Sequence, residues 1–348
     1  MKLYACDSVQ RFCMQVAQSC GLGEWEAALF AENLVLAQMR GIPSHGVMRL
    51  RQYMLRLKKE LVVAGVEPEI VRDMPSALLV DGRYGMGFTI AHKVMELCIQ
   101  RAGKTGCCFA AVFNGSHFGM AGKYTIQAAE AKMIGVCMSN TMSTTVPYGG
   151  LRDIFGTNPI SIATPASKYP PVVLDMATCA IAKGKVILAA KEGRKVPRDV
   201  GLDATGSPTD DPNAILNDGH FLPFGGYKGS GISFFVDLLS TALSGACNSL
   251  MSVDFWAPEG KQDIGYFMGA FNIASFSSYE DYLKRVDVII DAAKSCPPAP
   301  GFDCVYVPGE IEQNNYDRAA LEGVEISDVV VKDLIAVGKE HGIEWPFK

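Results

Sequence analysis

The chain has 348 residues, 49% of them hydrophobic and 20% charged, with a net charge of −5 from 32 Lys and Arg against 37 Asp and Glu. The length allows about two domains, the composition excludes disorder and fibrous repeats, and without a basic stripe nucleic acid is not an expected partner. The 11 cysteines form no C-x-x-C, no apolar run reaches bilayer length and residues 1–4 carry no signal core, so the expectation is a cytoplasmic chain with free thiols and no membrane partner.

In chain order, residues 1–60 read as three helices. Asp7 caps the first, which Gly21 and Gly23 end; the second covers residues 25–40; Ser44 caps the third, which runs to about Lys59. Strands at 69–72 and 77–80 precede a glycine turn at 82–87 and a helix at 89–102. The apolar run 107–113, bounded by Gly106 and Gly115, reads as a buried strand. A helix at 121–131 and strands at 134–139, 160–164 and 172–174 follow, then a helix at 179–191 and a strongly apolar one at 230–243. A strand at 266–273 and a helix at 278–294 lead to a loop with Pro297, Pro298 and Pro300, a strand at 304–307 and a last helix capped by Ser327. This alternation is α/β or α+β, without repeats or a low-complexity linker, and the chain divides near residues 120 and 295.

Three groups of residues carry chemistry. With Ser44 as a cap, His45, Arg49 and Tyr53 stand at i, i+4 and i+8 on one helical stripe. An imidazole can exchange a proton near neutral pH, and a guanidinium can hold a carboxylate with two parallel bonds; the alternative is a capped surface helix whose His only packs. His117 lies in Asn114-Gly115-Ser116-His117-Phe118-Gly119, where an apolar strand gives way to a helix and backbone can approach a ligand closely. A metal held by His45 and His117 has no H-E-x-x-H motif or cysteine pair behind it, and no metal is expected. The third group is a set of loops suited to phosphate: Gly156-Thr157-Asn158-Pro159, Asp175-Met176-Ala177-Thr178 with Thr178 as a possible cap, and Gly225-Gly226-Tyr227-Lys228-Gly229 ahead of the apolar helix. Neither a P-loop nor G-x-G-x-x-G occurs, and no G-x-S-x-G elbow exists.

Six blocks taken in order, Ser44-His45-Gly46 to Arg49, Gly115-Ser116-His117, Gly156 to Pro159, Leu174 to Thr178, Leu222 to Gly229 and Pro308-Gly309-Glu310, resemble the malate/L-lactate dehydrogenase family that stands apart from Rossmann-type enzymes. The likeness runs from about residue 5 to 335. It implies a nicotinamide-dependent oxidoreductase using NAD or NADP, a mostly antiparallel, non-Rossmann cofactor-binding sheet with a helix-rich substrate lobe, and a homodimer. On that pattern residues 1–120 and 296–348 form the lobe and 121–295 the NAD(P)-binding domain. By residue matching, His45 is the acid/base with Ser44 beside it, His117 competes for that role, Arg49 clamps the carboxylate of a small substrate, and Tyr53 and Thr157 complete the substrate site. Thr141, Asp175, Met176, Ala177, Lys228, Gly229, Pro308, Gly309 and Glu310 line the cofactor.

One departure bears on the substrate. The cyclic-imine reductases of this family carry an Asp that completes a Ser–His–Asp relay, whereas here Gly184 is followed by Lys185. This points to a 2-hydroxy acid/2-keto acid pair such as lactate or malate. The alternative is a piperideine/pyrroline-2-carboxylate reductase, which residues 179–197 and 223–226 resemble. A reading from another class is a binding protein that keeps the fold without the reaction.

Overall fold

The computed structural model describes residues 2–347. Strand β1 (Lys2–Tyr4) leads into α1 (Cys6–Ser19), α2 (Glu24–Met39) and α3 (Leu50–Lys58); β2 (Glu69–Met74) and β3 (Ala77–Asp81) form a hairpin; α4 (Gly87–Thr105), β4 (Cys107–Gly115), α5 (Gly122–Glu130), β5 (Met133–Ser139), β6 (Ile160–Thr164) and β7 (Val172–Met176) follow. The next stretch holds α6 (Lys183–Lys191), β8 (Gly201–Leu202), α7 (Pro212–Asn217), β9 (His220–Phe221), α8 (Tyr227–Asp237) and β10 (Ile264–Asn272). The C-terminal part is α9 (Tyr279–Lys294), α10 (Glu310–Glu322), β11 (Val324–Ile326) and α11 (Asp328–Glu340).

The main sheet has the order β2-β3-β4-β10-β5-β6-β7. Only β3 and β4 are parallel; every other neighbouring pair is antiparallel. The expected mostly antiparallel sheet is therefore present, and its single β3–α4–β4 crossover explains the missing dinucleotide fingerprint, which belongs to repeated parallel βαβ units. Strand β10 sits between β4 and β5, and its buried Tyr266, Met268 and Ala270 meet Ile90, Val94 and Cys98 of α4 in the sheet core. Strands from both sides of residue 120 share this sheet and core.

A second core belongs to helices. Val9, Phe12, Cys13 and Val16 recur at helical spacing on α1 and pack with Phe30 and Leu34 of α2, Tyr53 and Met54 of α3, and Leu334 and Val337 of α11. Strand β1 pairs with β11, which ties the two ends of the chain into this core.

Several local expectations fail for physical reasons. Ala5, not Asp7, precedes α1, and Asp7 lies in its first turn, where its charge suits the helix dipole. Ser44 caps no α-helix. Pro43–His45 and Val47–Arg49 are two separate 3₁₀ turns joined by an extended Gly46 (φ −88°, ψ −155°), and α3 starts only at Leu50. The helical stripe proposed for His45, Arg49 and Tyr53 does not exist. The helix expected from residue 179 begins at Lys183, the one expected from 230 begins at Tyr227 and loosens into a π turn at Leu238–Ala242, and residues 304–307 are loop rather than strand. Thr178 caps nothing; its N–H and hydroxyl both donate to the Thr157 carbonyl, at 2.8 and 3.1 Å. Among the described residues no helix is long and apolar enough to cross a membrane, and all 11 cysteines are free.

Candidate active site

Tertiary packing gathers what the absent helix could not. His117, in the loop between β4 and α5, lies beside His45 with ring centroids 5.6 Å apart and planes 14° from parallel. The Tyr53 hydroxyl, carried by α3, is 2.5 Å from His117 Nδ1, and the Gly119 N–H donates to the same atom at 3.2 Å. The Ser44 hydroxyl is 3.2 Å from His45 Nδ1. Arg49 donates through Nε to the Ser44 carbonyl, which holds its side chain back along the two 3₁₀ turns. Its guanidinium lies over the rings of Phe255 (5.0 Å) and Trp256 (5.5 Å). Among the described residues that Nε bond is the hydrogen bond Arg49 makes, so its two Nη groups bond none of them.

The aromatic floor was not legible in the sequence. Phe255 packs on His117 (4.8 Å) and Tyr53 (5.0 Å). Its loop is held by α3: Gln52 donates to the Phe255 carbonyl, Arg56 to the Phe255 and Gly260 carbonyls, and Lys59 to the Pro258 carbonyl. Gln262 accepts from the His117 N–H at 3.2 Å. No local motif marks these residues. The spacing of Gln52, Arg56 and Lys59, four and three apart along α3 and its C-terminal cap, is the one signal that something lay against it.

Burial sets the charges here. The His45 imidazole is lowered to about 3, first by burial and then by the Arg49 cation; His117 is lowered well below its ordinary value by burial, Arg49, His45 and Arg56, in that order. Both rings are neutral at neutral pH. Arg49 is also lowered by burial, with Tyr53 and Asp254 opposing.

The expected cofactor residues form two further groups. Thr157 N–H donates to the Thr141 hydroxyl (2.9 Å), and the two hydroxyls are 3.3 Å apart. Asn158, in the left-handed region at φ 34°, accepts from Thr141 N–H and donates to the Ser233 carbonyl, so it locks both threonines to α8. The other group lines a cleft of about 230 Å³: Asp175 of β7, Gly122, Gly309, Val173, Arg40, Glu312, Ile42 and Met120. Asp175 accepts from Gly122 N–H at 2.9 Å, and burial raises it to about 6 against the opposing pull of that bond and of Arg40. Gly309 starts α10 at φ 86°, and a Cβ there would lie 2.9 Å from Val173. The Pro308 carbonyl accepts from Val173 N–H at 3.0 Å. Ile42 and Met120 lie three residues along the chain from His45 and His117 respectively.

Met176 and Ala177 end β7 and lead to Thr178, whose bonds to Thr157 tie the cleft to the threonine pair. Lys228 and Gly229 stand apart from both groups, joined through the bond from Phe224 N–H to the Thr178 carbonyl; Lys228 is exposed on the first turn of α8. Glu310 is committed to the fold, accepting from Lys294 Nζ (2.5 Å) and Val307 N–H (3.0 Å).

The family model for malate/L-lactate dehydrogenase matches residues 4–335. The chain belongs to that family. It is 35% identical to L-sulfolactate dehydrogenase of Methanocaldococcus jannaschii, over 97% of this chain and 96% of that one. To malate dehydrogenase of Pyrococcus abyssi it is 33% identical, over 97% and 94%. A solved structure of the Methanocaldococcus jannaschii sulfolactate dehydrogenase superposes with a TM-score of 0.94 at 34% identity, covering 99% of this chain and 98% of that one. A Pseudomonas putida protein named as a pyrroline/piperideine-2-carboxylate reductase is 36% identical over 68% of this chain and 70% of its own length. Further dehydrogenase relatives are named for NAD(+), in Escherichia coli O157:H7 (32% identical, 91% and 90% covered), and for NADP(+), in Chromohalobacter salexigens (32% identical, 92% and 93% covered).

Proposed function

We propose that this family member moves a hydride between NAD or NADP and a small 2-hydroxy acid/2-keto acid such as malate, lactate or sulfolactate. The observation that carries the reading is the cluster itself: a guanidinium whose Nη groups bond none of the described residues, and two neutral imidazoles stacked on each other beside it, with a cleft lined by Ile42 and Met120 close by in the chain. Arg49 would hold the substrate carboxylate. His45 would take the hydroxyl proton in oxidation and return it in reduction, with Ser44 steadying its Nδ1. Thr157 borders the substrate, and Tyr53 stands behind His117.

The cleft offers groups suited to one part of a dinucleotide. Gly122 and Gly309 present backbone where a side chain would collide with Asp175 or Val173, Arg40 supplies a cation, and Asp175 an acceptor for a hydroxyl. Thr141, Met176, Ala177 and Pro308 would extend that surface, Lys228 and Gly229 would meet the cofactor from the start of α8, and Glu310 shapes the cleft by fixing the start of α10. When bound, the nicotinamide supplies the redox step. In this reading the two-lobe division keeps its outline while β2, β3 and β4, which precede residue 120, belong to the cofactor-side sheet: the helical lobe holds the substrate, and residues 308–310 reach back to the cofactor side.

The homodimer is part of the same proposal. Phe234 (51% exposed), Phe235 (65%), Leu238 and Leu243 form an uncovered apolar face on α8 and the π turn after it, which a second copy would bury. Free thiols fit a cytoplasmic setting. Exposed Lys185 offers no carboxylate to a histidine relay, which favours hydroxy acids over cyclic imines, while the imine-reductase relative keeps the second substrate class open to test.

The test is a substrate panel with each cofactor. Oxidation of NADH or NADPH by malate-, lactate- or sulfolactate-derived keto acids faster than by piperideine-2-carboxylate is expected. A faster imine substrate would select the alternative, and no oxidation with any of them would sink the proposal.

A further inference from the structure

We propose that Gly119 N–H and Tyr53 together fix the proton of His117 on Nε2, so that His117 serves as a standing neutral hydrogen-bond donor to the substrate's reacting oxygen. The inference rests on the reaction proposed above and moves Tyr53 from substrate contact to a positioning residue. The decisive contact is with backbone. An amide N–H can only donate, so the ring nitrogen that faces Gly119 N–H at 3.2 Å presents its lone pair. Nδ1 is then unprotonated, the Tyr53 hydroxyl at 2.5 Å donates to it as well, and the ring proton sits on Nε2.

The surroundings hold this arrangement. Tyr53 is 1% exposed, its ring packed against Phe30 (5.3 Å), Phe88 (5.1 Å) and Phe255 (5.0 Å), so its hydroxyl has one direction to point. The His117 ring is pinned by Phe255 on one side and His45 on another, and its backbone N–H is held by Gln262. Moving the proton to Nδ1 would set N–H against the Gly119 N–H and turn the Tyr53 hydroxyl from donor to acceptor. Charging the ring would break the Gly119 bond and place a cation beside Arg49 and Arg56. His117 is thereby a poor base and a good fixed donor, able to stabilise negative charge growing on a substrate oxygen. His45 has no such lock: its Nδ1 partner is a hydroxyl, which can donate or accept.

The experiment is ¹⁵N NMR of histidine-labelled protein without cofactor or substrate, the His117 signals being those lost in His117→Gln. The expected result is a lone-pair-type Nδ1 and a protonated-type Nε2 at His117, with Tyr53→Phe producing a mixture of tautomers. In the same variant kcat should fall about tenfold while KM for the keto acid changes less than threefold. A wild-type His117 protonated on Nδ1 would overturn the proposal, and so would a Tyr53→Phe spectrum and kcat equal to wild type. The wild-type spectrum decides the tautomer even if the variant does not fold. Because it needs no turnover, a chain inactive on every keto acid would refute the reaction and not the tautomer.

Discussion

The two ends of the proposed site, one for substrate and one for cofactor, use burial in opposite ways. At the substrate end it strips charge from bases: His45 and His117 are held neutral among Arg49 and Arg56. At the cofactor end it strips charge from an acid: Asp175 is raised to about 6 although Arg40 and Gly122 N–H oppose the shift. The first end is built from side chains stacked on aromatic rings, the second from backbone at Gly122 and Gly309. Side-chain construction concentrates chemistry in a few replaceable groups; backbone construction leaves no room for a Cβ.

The contrast breaks most visibly at Arg49. Arg49→Ala should lower kcat/KM for the keto acid by about 10³-fold, the effect of losing a buried partner to a carboxylate. NAD(P)H affinity, read by fluorescence titration, should stay within about threefold. Equal losses at both would mean that the two ends are one unit. Gly309→Ala should do the reverse, weakening NAD(P)H binding by at least about tenfold and costing about 2 kcal/mol of stability in urea unfolding, since it sets a Cβ at φ 86° and 2.9 Å from Val173.

The opposite titrations sharpen the comparison further. Asp175 binds its proton more tightly folded than unfolded, so its contribution to stability falls as pH rises from about 4 to about 6. Asp175→Asn, which keeps an acceptor for Gly122 N–H, should therefore gain up to about 2 kcal/mol over wild type at pH 7.5 and nothing at pH 3.5, by urea unfolding at each pH. His45 binds its proton more weakly folded than unfolded, so it withdraws stability as pH falls below about 6.5. The smallest effect is linkage at this end. A carboxylate on Arg49 removes only the smaller of the two causes that lower His45, so the ring stays neutral and the affinity of an unreactive analogue such as oxamate should change less than about twofold between pH 8 and pH 6 in calorimetry. A severalfold rise toward pH 6 would mean that the ring takes up a proton on binding in spite of its burial.

The residues at these ends were legible; the way they meet was not. Ser44, His45, Arg49 and His117 stood out by chemistry and by family pattern. The helix drawn through them was wrong because Pro43 and Gly46 break the backbone into two 3₁₀ turns. Their proximity comes instead from α3 packing on the loop after β4, a contact no local spacing encodes. Phe255 and Trp256 escaped notice because they reach the site from roughly 200 residues along the chain and carry no motif. The sheet was easier to read, since the apolar runs of β4, β5 and β10 are buried on both faces. Residues 304–307 read as a strand on their apolar side chains alone, but none of them pairs with a neighbour as part of a strand.

The most direct test is His45→Gln in a protein shown by circular dichroism and NAD(P)H titration to keep its fold and its cofactor site. The account predicts that turnover of the keto acid falls by at least about 10³-fold, as expected when the group that exchanges the proton is removed. Turnover within about tenfold of wild type would contradict it, because the proton would then have another source.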